Sequence, residues 1–231
     1  MATESPISLS KDEMRALGYQ AIDLIVDHLD TLSQQPAIQL APNELVQKLS
    51  SEAPPQHGAD ISELLNQVVE DVLKHSAFVH HPRYFAYMPG PHNYVSVLAA
   101  LLLNGFNTFA GTWVEASGPT EVELVTVKWL AQLLGMPDTT AGLFVSGGTL
   151  ANEIGLLVAR EVASDHPISR CIVYCSDVTH VSIDQGLKVL GFAPDQLRQI
   201  ESDDEFALSL PHLEAQIKRD RAAGYIPICV V

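Results

Sequence analysis

The N-terminal third of the chain alternates apolar and polar residues with the period of an α-helix. From residue 11 to about 33, apolar side chains recur at steps of three and four, and Ser10 with Glu13 forms a capping-box pair. Shorter helical patterns cover 43–49 and 61–74, separated by irregular, partly Pro-rich links. Because such helices carry apolar stripes that need a partner, the pattern predicts an arm that packs on another surface. A small helical bundle is the alternative.

After residue 140 the pattern changes to short apolar runs rich in β-branched residues, with amphipathic stretches between them. Predicted strands lie at 143–145, 171–175 and 226–231, and predicted helices at 149–164, 180–190 and 210–223. Strand–helix alternation is typical of an α/β fold with a mostly parallel sheet and helices on both faces.

A predicted helix precedes this α/β region, and a predicted strand ends it. A helix is predicted at 119–134, with Thr120 and Glu123 as its capping box and Gly135 after its end. The last apolar run resembles a buried strand, which needs neighbours on both sides. We therefore expect more sequence after Val231.

Composition narrows the class of protein. The 231 residues are 47% hydrophobic and carry a formal net charge of −15, which favours a globular protein and disfavours nucleic-acid binding. The N-terminus lacks the architecture of a signal peptide, and the longest apolar stretch, 95–103, is about half a membrane span. Cys171 and Cys175 lie about 13 Å apart on one predicted strand, too far for a disulfide. We expect a cytoplasmic protein with free thiols and no membrane partner.

The strongest local motif is GLFVSGGTLANE at 142–153. A predicted strand leads into Ser146, Gly147 and Gly148, and a helix follows at once. Glycines allow close approach of a ligand to the backbone, and the unsatisfied amides of a helix start favour a phosphate. The alternative is an ordinary strand-to-helix turn with Thr149 as N-cap.

The second motif is YCSDVTHVSID, which places His180 after a strand. Ligands of open α/β sheets bind at the carboxyl edge, where an imidazole can stack on a flat cofactor or transfer protons. The alternative is a histidine that only caps a helix or lies on the surface.

Two aromatic segments are candidate pocket walls. HPRYFAYMPG, with Tyr87, Met88 and Pro89, is too rich in Pro and Gly for a regular helix. A second segment, 107–119, contains Phe109 and Trp113. Connectors that pack on the core are the alternative for both.

These motifs, in this order and spacing, resemble the group II pyridoxal-phosphate-dependent amino-acid decarboxylases, which include the aromatic-amino-acid and glutamate decarboxylases. The resemblance implies a fold type I (aspartate-aminotransferase-like) large domain, truncated here, whose first part is 81–231, preceded by a helical arm at 1–80. It also implies a homodimer in which that arm swaps onto the partner.

The resemblance assigns roles residue by residue. His180 matches the histidine that stacks on the pyridine ring of pyridoxal phosphate and assists catalysis. The small-residue loop that holds the phosphate corresponds to Ser146, Gly147 and Gly148. Tyr87, Met88 and Pro89 match one wall of the substrate pocket, and Phe109 matches a residue that lines the pocket of the neighbouring subunit in these dimers.

Departures from the family pattern limit what is implied. Val79, Gly90 and Gly111 replace larger or hydroxylated residues of the animal aromatic-amino-acid enzymes, so the substrate is expected to be aromatic but is not fixed. The lysine that forms the Schiff base follows the last residue of this chain in the family, so the chain alone is expected to be inactive. The alternatives are a related aldehyde synthase or other lyase, and a non-catalytic homologue that serves as a dimerisation partner.

Overall fold

Helices form the first half of the molecule, and a small sheet with its flanking helices forms the second. The computed structural model describes residues 8–88 and 90–231. It divides into two compact units, Met1–Asn107 and Thr108–Val231. The domain boundary predicted at residue 80 stays a prediction.

The first unit contains the three predicted helices of the arm: α1 (Lys11–Thr31), α2 (Asn43–Ser51) and α3 (Ile61–Val68). A π-helical turn, Val69–Leu73, continues α3 to the predicted end of the segment. The capping box is confirmed, because the Ser10 hydroxyl accepts from the Glu13 N–H and the Glu13 carboxylate accepts from the Ser10 N–H. Gln20 of α1 donates to the carbonyl of Ser62 on α3 at 3.0 Å, which joins these two helices.

A fourth helix, α4 (Tyr94–Phe106), was not predicted. Its sequence is apolar on all sides, so it shows no amphipathic stripe. The signals at its ends are local: the Asn93 side chain accepts from the Ser96 N–H at 3.0 Å, and Asn107 ends the helix in the left-handed conformation. No helix in the described part of the chain combines the length and hydropathy needed to cross a bilayer.

The second unit is built on a parallel sheet of three strands in the order β2-β1-β3, comprising β1 (Cys171–Ser176), β2 (Leu197–Ile200) and β3 (Ile226–Val230). All six residues of β1 are buried. The sequence did not predict β2, because it is short and interrupts its apolar residues with Arg198 and Gln199.

Alternate residues of β1 face two different helix layers. Cys171 and Val173 pack against Leu156, Ile183 and Leu187, which come from α6 (Gly148–Val162) and α7 (Ser182–Val189). The other face packs on α8 (Leu210–Ala222), with Ile172 and Tyr174 against Leu213. The predicted parallel sheet with helices on both faces is confirmed.

Helices α6 and α7 approach each other closely at Gly186. A Cβ atom at this position would lie 2.9 Å from Cγ of Glu153 and 3.3 Å from Cδ1 of Leu156. Only a glycine lets α7 approach α6 this closely without displacing these side chains.

The region ahead of α6 differs from the prediction in two respects. Residues 143–145 are not a strand, since the Phe144 N–H donates to the Glu123 carboxylate at 2.8 Å and no strand of the described residues pairs with this segment. Helix α5 (Ser117–Leu133) begins earlier than predicted, after Ala116, and no side chain caps it. The predicted Thr120–Glu123 capping box is therefore wrong, because Glu123 bonds to Phe144 instead.

A buried carboxylate joins α8 to the sheet. Asp220 is 4% exposed, and it accepts hydrogen bonds from the Tyr174 hydroxyl at 2.9 Å, from Gln216 at 3.1 Å and from the Arg198 guanidinium at 2.9 Å. Burial alone would raise the pKa of Asp220, but the hydrogen bonds from Arg198, Gln216 and Tyr174 lower it below its ordinary value. The pKa of Tyr174 is raised, first by burial and then by the Asp220 carboxylate.

We expect Asp220→Asn to lower the free energy of unfolding by about 3 kcal/mol, because it leaves the Arg198 charge without its partner. Tyr174→Phe removes one hydrogen bond to a charged group and should cost about 2 kcal/mol. Urea denaturation followed by circular dichroism measures both. The control is Asp204→Asn, an exposed position, which should change stability by less than about 0.5 kcal/mol. Equal losses of stability from Asp204→Asn and Asp220→Asn would contradict the role of Asp220 in joining α8 to the sheet.

The same carboxylate predicts a pH dependence of stability. A pKa lowered in the folded state stabilises the protein above the ordinary aspartate pKa, and this contribution is lost as the pH falls through the lowered value. The difference in unfolding free energy between the parent chain and Asp220→Asn should therefore be constant near neutral pH and shrink in acid. A difference that grows on acidification would show that the pKa of Asp220 is not lowered by folding.

Candidate active site

The glycine turn at 146–149 leads directly into α6 and leaves the start of this helix open. Gly147 is the N-cap, its backbone is extended, and no side chain caps the first turn. Thr149 lies inside the helix, so the alternative in which Thr149 is the N-cap is wrong. A Cβ atom at Gly147 or Gly148 would meet nothing within 4 Å, so the space above the turn is open. The free amides and the helix dipole give this turn the donor set that an anion requires.

The segment that carries His180 begins where β1 ends. Asp177 fixes it to the end of β2: its N–H donates to the Ile200 carbonyl at 3.0 Å, and its carboxylate accepts from the Ser202 N–H at 3.1 Å and hydroxyl at 2.7 Å. The Ser202 hydroxyl is the main cause of the lowered pKa of Asp177. This loop therefore starts from two neighbouring strands of the sheet.

The His180 ring is held at one nitrogen and is otherwise exposed. Its Nδ1 lies 2.8 Å from the hydroxyl of Ser182 and 3.2 Å from the backbone N–H of the same residue, at the first position of α7. A ring fixed on one edge with its faces accessible can stack on a flat ligand or exchange protons with it.

Asn152 links the glycine-turn helix to the histidine. Its amide nitrogen lies 2.8 Å from the hydroxyl of Ser182, the same hydroxyl that contacts His180. The start of α6 and His180 thus share one buried hydrogen-bonding group, and the structure joins the two predicted halves of the site. Sequence reasoning missed Asn152 and Ser182; the available signal was a polar residue near the start of each helix, on the side that packs against the other helix.

The predicted substrate residues lie in both units. Tyr87 has a left-handed backbone with φ of 60°, an uncommon conformation outside glycine, and Tyr87 and Met88 are almost fully exposed. Pro89 lies outside the described residues. In the second unit, the Phe109 ring lies over Gly111, where a Cβ would collide with it, and Trp113 donates to the Glu121 carboxylate at 2.8 Å. The assignment of these residues to a pocket wall stays a prediction.

A separate cavity of about 500 Å³ lies within the first unit, between α1 and α3, and none of the predicted site residues lines it. His28, His80 and His92 contribute to its wall, with ring centroids 5.5 Å apart for His28–His80 and 4.9 Å for His80–His92. Burial, followed by the neighbouring imidazoles, lowers the pKa of His80. The His80 Nε2 atom is buried without a hydrogen-bond partner, which favours the neutral form of this ring.

Cysteines and possible metal-binding side chains are further candidates for reactive groups among the described residues. Cys171, Cys175 and Cys229 are free thiols, as predicted, and burial raises the pKa of each. No group of three or more potential metal-binding side chains converges among residues 8–88 and 90–231.

Comparison with known proteins identifies the fold and the family. The chain is 43% identical over 225 residues to an aromatic-L-amino-acid decarboxylase of Bacillus atrophaeus, covering 97% of this chain and 47% of that protein. Its structure superposes with a TM-score of 0.88 on Oryza sativa TDC with PLP and tryptamine, at 24% identity, covering 99% of this chain and 49% of that one. The Rhodiola rosea 4-hydroxyphenylacetaldehyde synthase gives the same TM-score at 26% identity, covering 98% of this chain and 50% of that one.

These matches confirm the predicted fold type I architecture and, for the family, its pyridoxal cofactor. The chain spans about half the length of the curated relatives it matches. The family described as "Pyridoxal-dependent decarboxylase conserved domain" matches residues 42–231. With that match over most of its length, the chain belongs to the pyridoxal-dependent decarboxylases.

Proposed function

We propose that this chain provides the phosphate- and ring-binding part of an enzyme that decarboxylates an L-amino acid, of the aromatic class, to the amine and CO₂. The observation that carries the proposal is the open glycine turn of α6 joined to His180 through Asn152 and Ser182. An uncapped helix start and an exposed imidazole on one rigid frame suit a ligand with an anionic end and a flat ring.

The residues present fit pyridoxal phosphate. The first amides of α6 would hold the phosphate at Gly147 and Gly148, with the Ser146 hydroxyl as a further donor, and the His180 ring would lie against the pyridine face. When bound, this cofactor supplies the electron sink that stabilises the charge left on Cα after CO₂ departs. The protein residues would hold and orient that group, and the His180 ring would hold a proton beside it.

The substrate class follows from the relatives and from the aromatic segments. Proteins similar to this chain are named aromatic-L-amino-acid and tyrosine decarboxylases. We assign Tyr87, Met88 and Pro89 to one wall of the substrate pocket and Phe109 to the pocket of the neighbouring subunit, because aromatic and apolar side chains suit an aromatic substrate. The nearly complete exposure of Tyr87 and Met88 supports this assignment, because it leaves their surfaces accessible to a ligand.

The cofactor-binding lysine is assigned to sequence beyond these 231 residues. Lys188 is paired with Asp184 one helical turn away, at 2.5 Å, and Lys128 lies in α5, neither in the context that the family requires. This chain alone is therefore expected to have no decarboxylase activity.

We also propose a cytoplasmic homodimer whose N-terminal arm swaps onto the partner. Exposed apolar side chains on α1, including Met14 and Ile25, support this arrangement.

A second candidate is an aldehyde synthase on the same scaffold. A Rhodiola rosea protein with this activity in its name superposes with a TM-score of 0.88, so the fold of this half serves both reactions. Assaying the products separates them, because the decarboxylase yields amine and the synthase yields aldehyde. A non-catalytic dimerisation partner is the third candidate, and it predicts no product at all.

We expect the protein at the full length of its relatives, purified with pyridoxal phosphate, to show a visible absorbance band that borohydride abolishes, because reduction of a lysine-bound cofactor removes its conjugation. Absorbance spectroscopy and CO₂ release from a panel of L-amino acids measure this. The 231-residue chain serves as the matched control and should show neither the borohydride-sensitive band nor CO₂ release. A folded full-length protein without the band would overturn the proposed function.

In the same full-length protein, His180→Ala should lower kcat by about 10²- to 10⁴-fold, the range expected for a lost acid–base group, with the fold unchanged. The control is His212→Ala on α8, an exposed histidine, which should leave kcat unchanged. Turnover within a few-fold of the parent enzyme after His180→Ala would show that this residue is not catalytic.

A further inference from the structure

Ser182 is a buried residue on which both halves of the candidate site depend. It is 1% exposed, and its hydroxyl contacts His180 Nδ1 on one side and the Asn152 amide on the other, both at 2.8 Å. A hydroxyl has one proton to donate and can accept at its oxygen. The hydroxyl therefore cannot donate to both contacts, and at least one of the two groups must donate to it.

The backbone decides which contact has which role. The N–H of Ser182 lies 3.2 Å from His180 Nδ1, and a backbone N–H can only donate, so Nδ1 must accept and carries no proton. The hydroxyl of Ser182 then donates to Nδ1 as well, and its oxygen accepts from Asn152. This requires the nitrogen of the Asn152 amide, not its oxygen, to face Ser182. In all three hydrogen bonds the proton is donated in the same direction, from Asn152 to Ser182 and from Ser182 to His180.

We propose that Asn152 and Ser182 are positioning residues that hold the neutral His180 ring with its proton on Nε2. A neutral imidazole has one N–H, so an Nδ1 that accepts two hydrogen bonds leaves Nε2 as the donor. The significance of this tautomer for catalysis rests on the proposed function, whereas the tautomer itself is a property of the folded chain. The same bonds fix the ring relative to the start of α6.

The tautomer can be measured directly. In the full chain labelled with ¹⁵N-histidine, long-range ¹H–¹⁵N correlation above neutral pH distinguishes a protonated from an unprotonated ring nitrogen, and His180→Gln identifies the signals of this residue among the nine histidines. We expect an unprotonated Nδ1 and a protonated Nε2. A proton on Nδ1 in the parent protein would overturn the proposal without any variant.

Asn152→Asp tests whether Asn152 determines which ring nitrogen of His180 carries the proton. The introduced carboxylate has the same shape but can only accept, so it takes the Ser182 hydroxyl proton away from Nδ1. The backbone N–H of Ser182 is then the one donor left to Nδ1, and the share of His180 rings that carry the proton on Nδ1 should rise above that of the parent protein. Gln199→Glu, the same amide-to-acid change at an exposed position of β2, should leave the tautomer unchanged. An unchanged tautomer in Asn152→Asp would overturn the role of Asn152.

A double-variant cycle separates this chain of contacts from general damage to the fold. Once Ser182→Ala has removed the hydroxyl, Asn152→Asp should cause no further change, because its route to His180 is gone. In the full-length enzyme, Asn152→Asp should lower kcat by about 10²-fold and change KM much less. If the losses of kcat caused by Asn152→Asp and by Ser182→Ala added up in the double variant, the proposal would be contradicted. If the enzyme proves not to bind pyridoxal phosphate, the proposed function fails, but the tautomer measurement still decides this inference.

Discussion

Strand β1 is buried along its whole length, and this burial is the constraint that determines the geometry of the candidate site. Two parallel neighbours hold its edges, and helices cover both faces, so the strand cannot slide or rotate without exposing its apolar side chains. His180 follows four residues after its end. The position of the imidazole is therefore determined by the packing of the strand and not by the loop alone, which explains how an exposed ring can have a fixed position.

Two carboxylates give this packing its specificity. Asp220 lies inside, where the hydroxyl of Tyr174 and the guanidinium of Arg198 meet it, and so joins α8 to two strands. Asp177 lies at the carboxyl edge, where it joins the ends of β1 and β2 through Ser202. Each accepts several hydrogen bonds, and for the buried Asp220 these offset the cost of placing a carboxylate in the interior. Asp220 fixes α8 on the sheet, and Asp177 fixes the loop that carries His180.

The sequence predicted the elements whose patterns are long and periodic. Helices α1, α6 and α8 and strands β1 and β3 lie within a few residues of their predicted bounds, because amphipathic stripes and buried apolar runs are direct consequences of packing. Helix α4 was missed because it is apolar all round, and β2 because charged residues interrupt it. The predicted strand at 143–145 failed because hydrogen-bond partners, not local sequence, make a strand.

The site was predictable in part for the same reason. Gly147, Gly148 and His180 have recognisable neighbours in the sequence, and a family resemblance gave them roles. Asn152 and Ser182 lie 30 residues apart and meet only because α6 packs on α7. Contacts of this kind depend on the distance between helix axes, which no local pattern records.

Gly186 permits this close approach, because a side chain there would meet Glu153 and Leu156 of α6. A single added methyl group there would press on the side chains of Glu153 and Leu156 on α6. The contact between the Asn152 amide and the Ser182 hydroxyl thus depends on a residue that takes no part in it. A substitution in the interior can therefore alter the relation between the start of α6 and His180 while both keep their own residues.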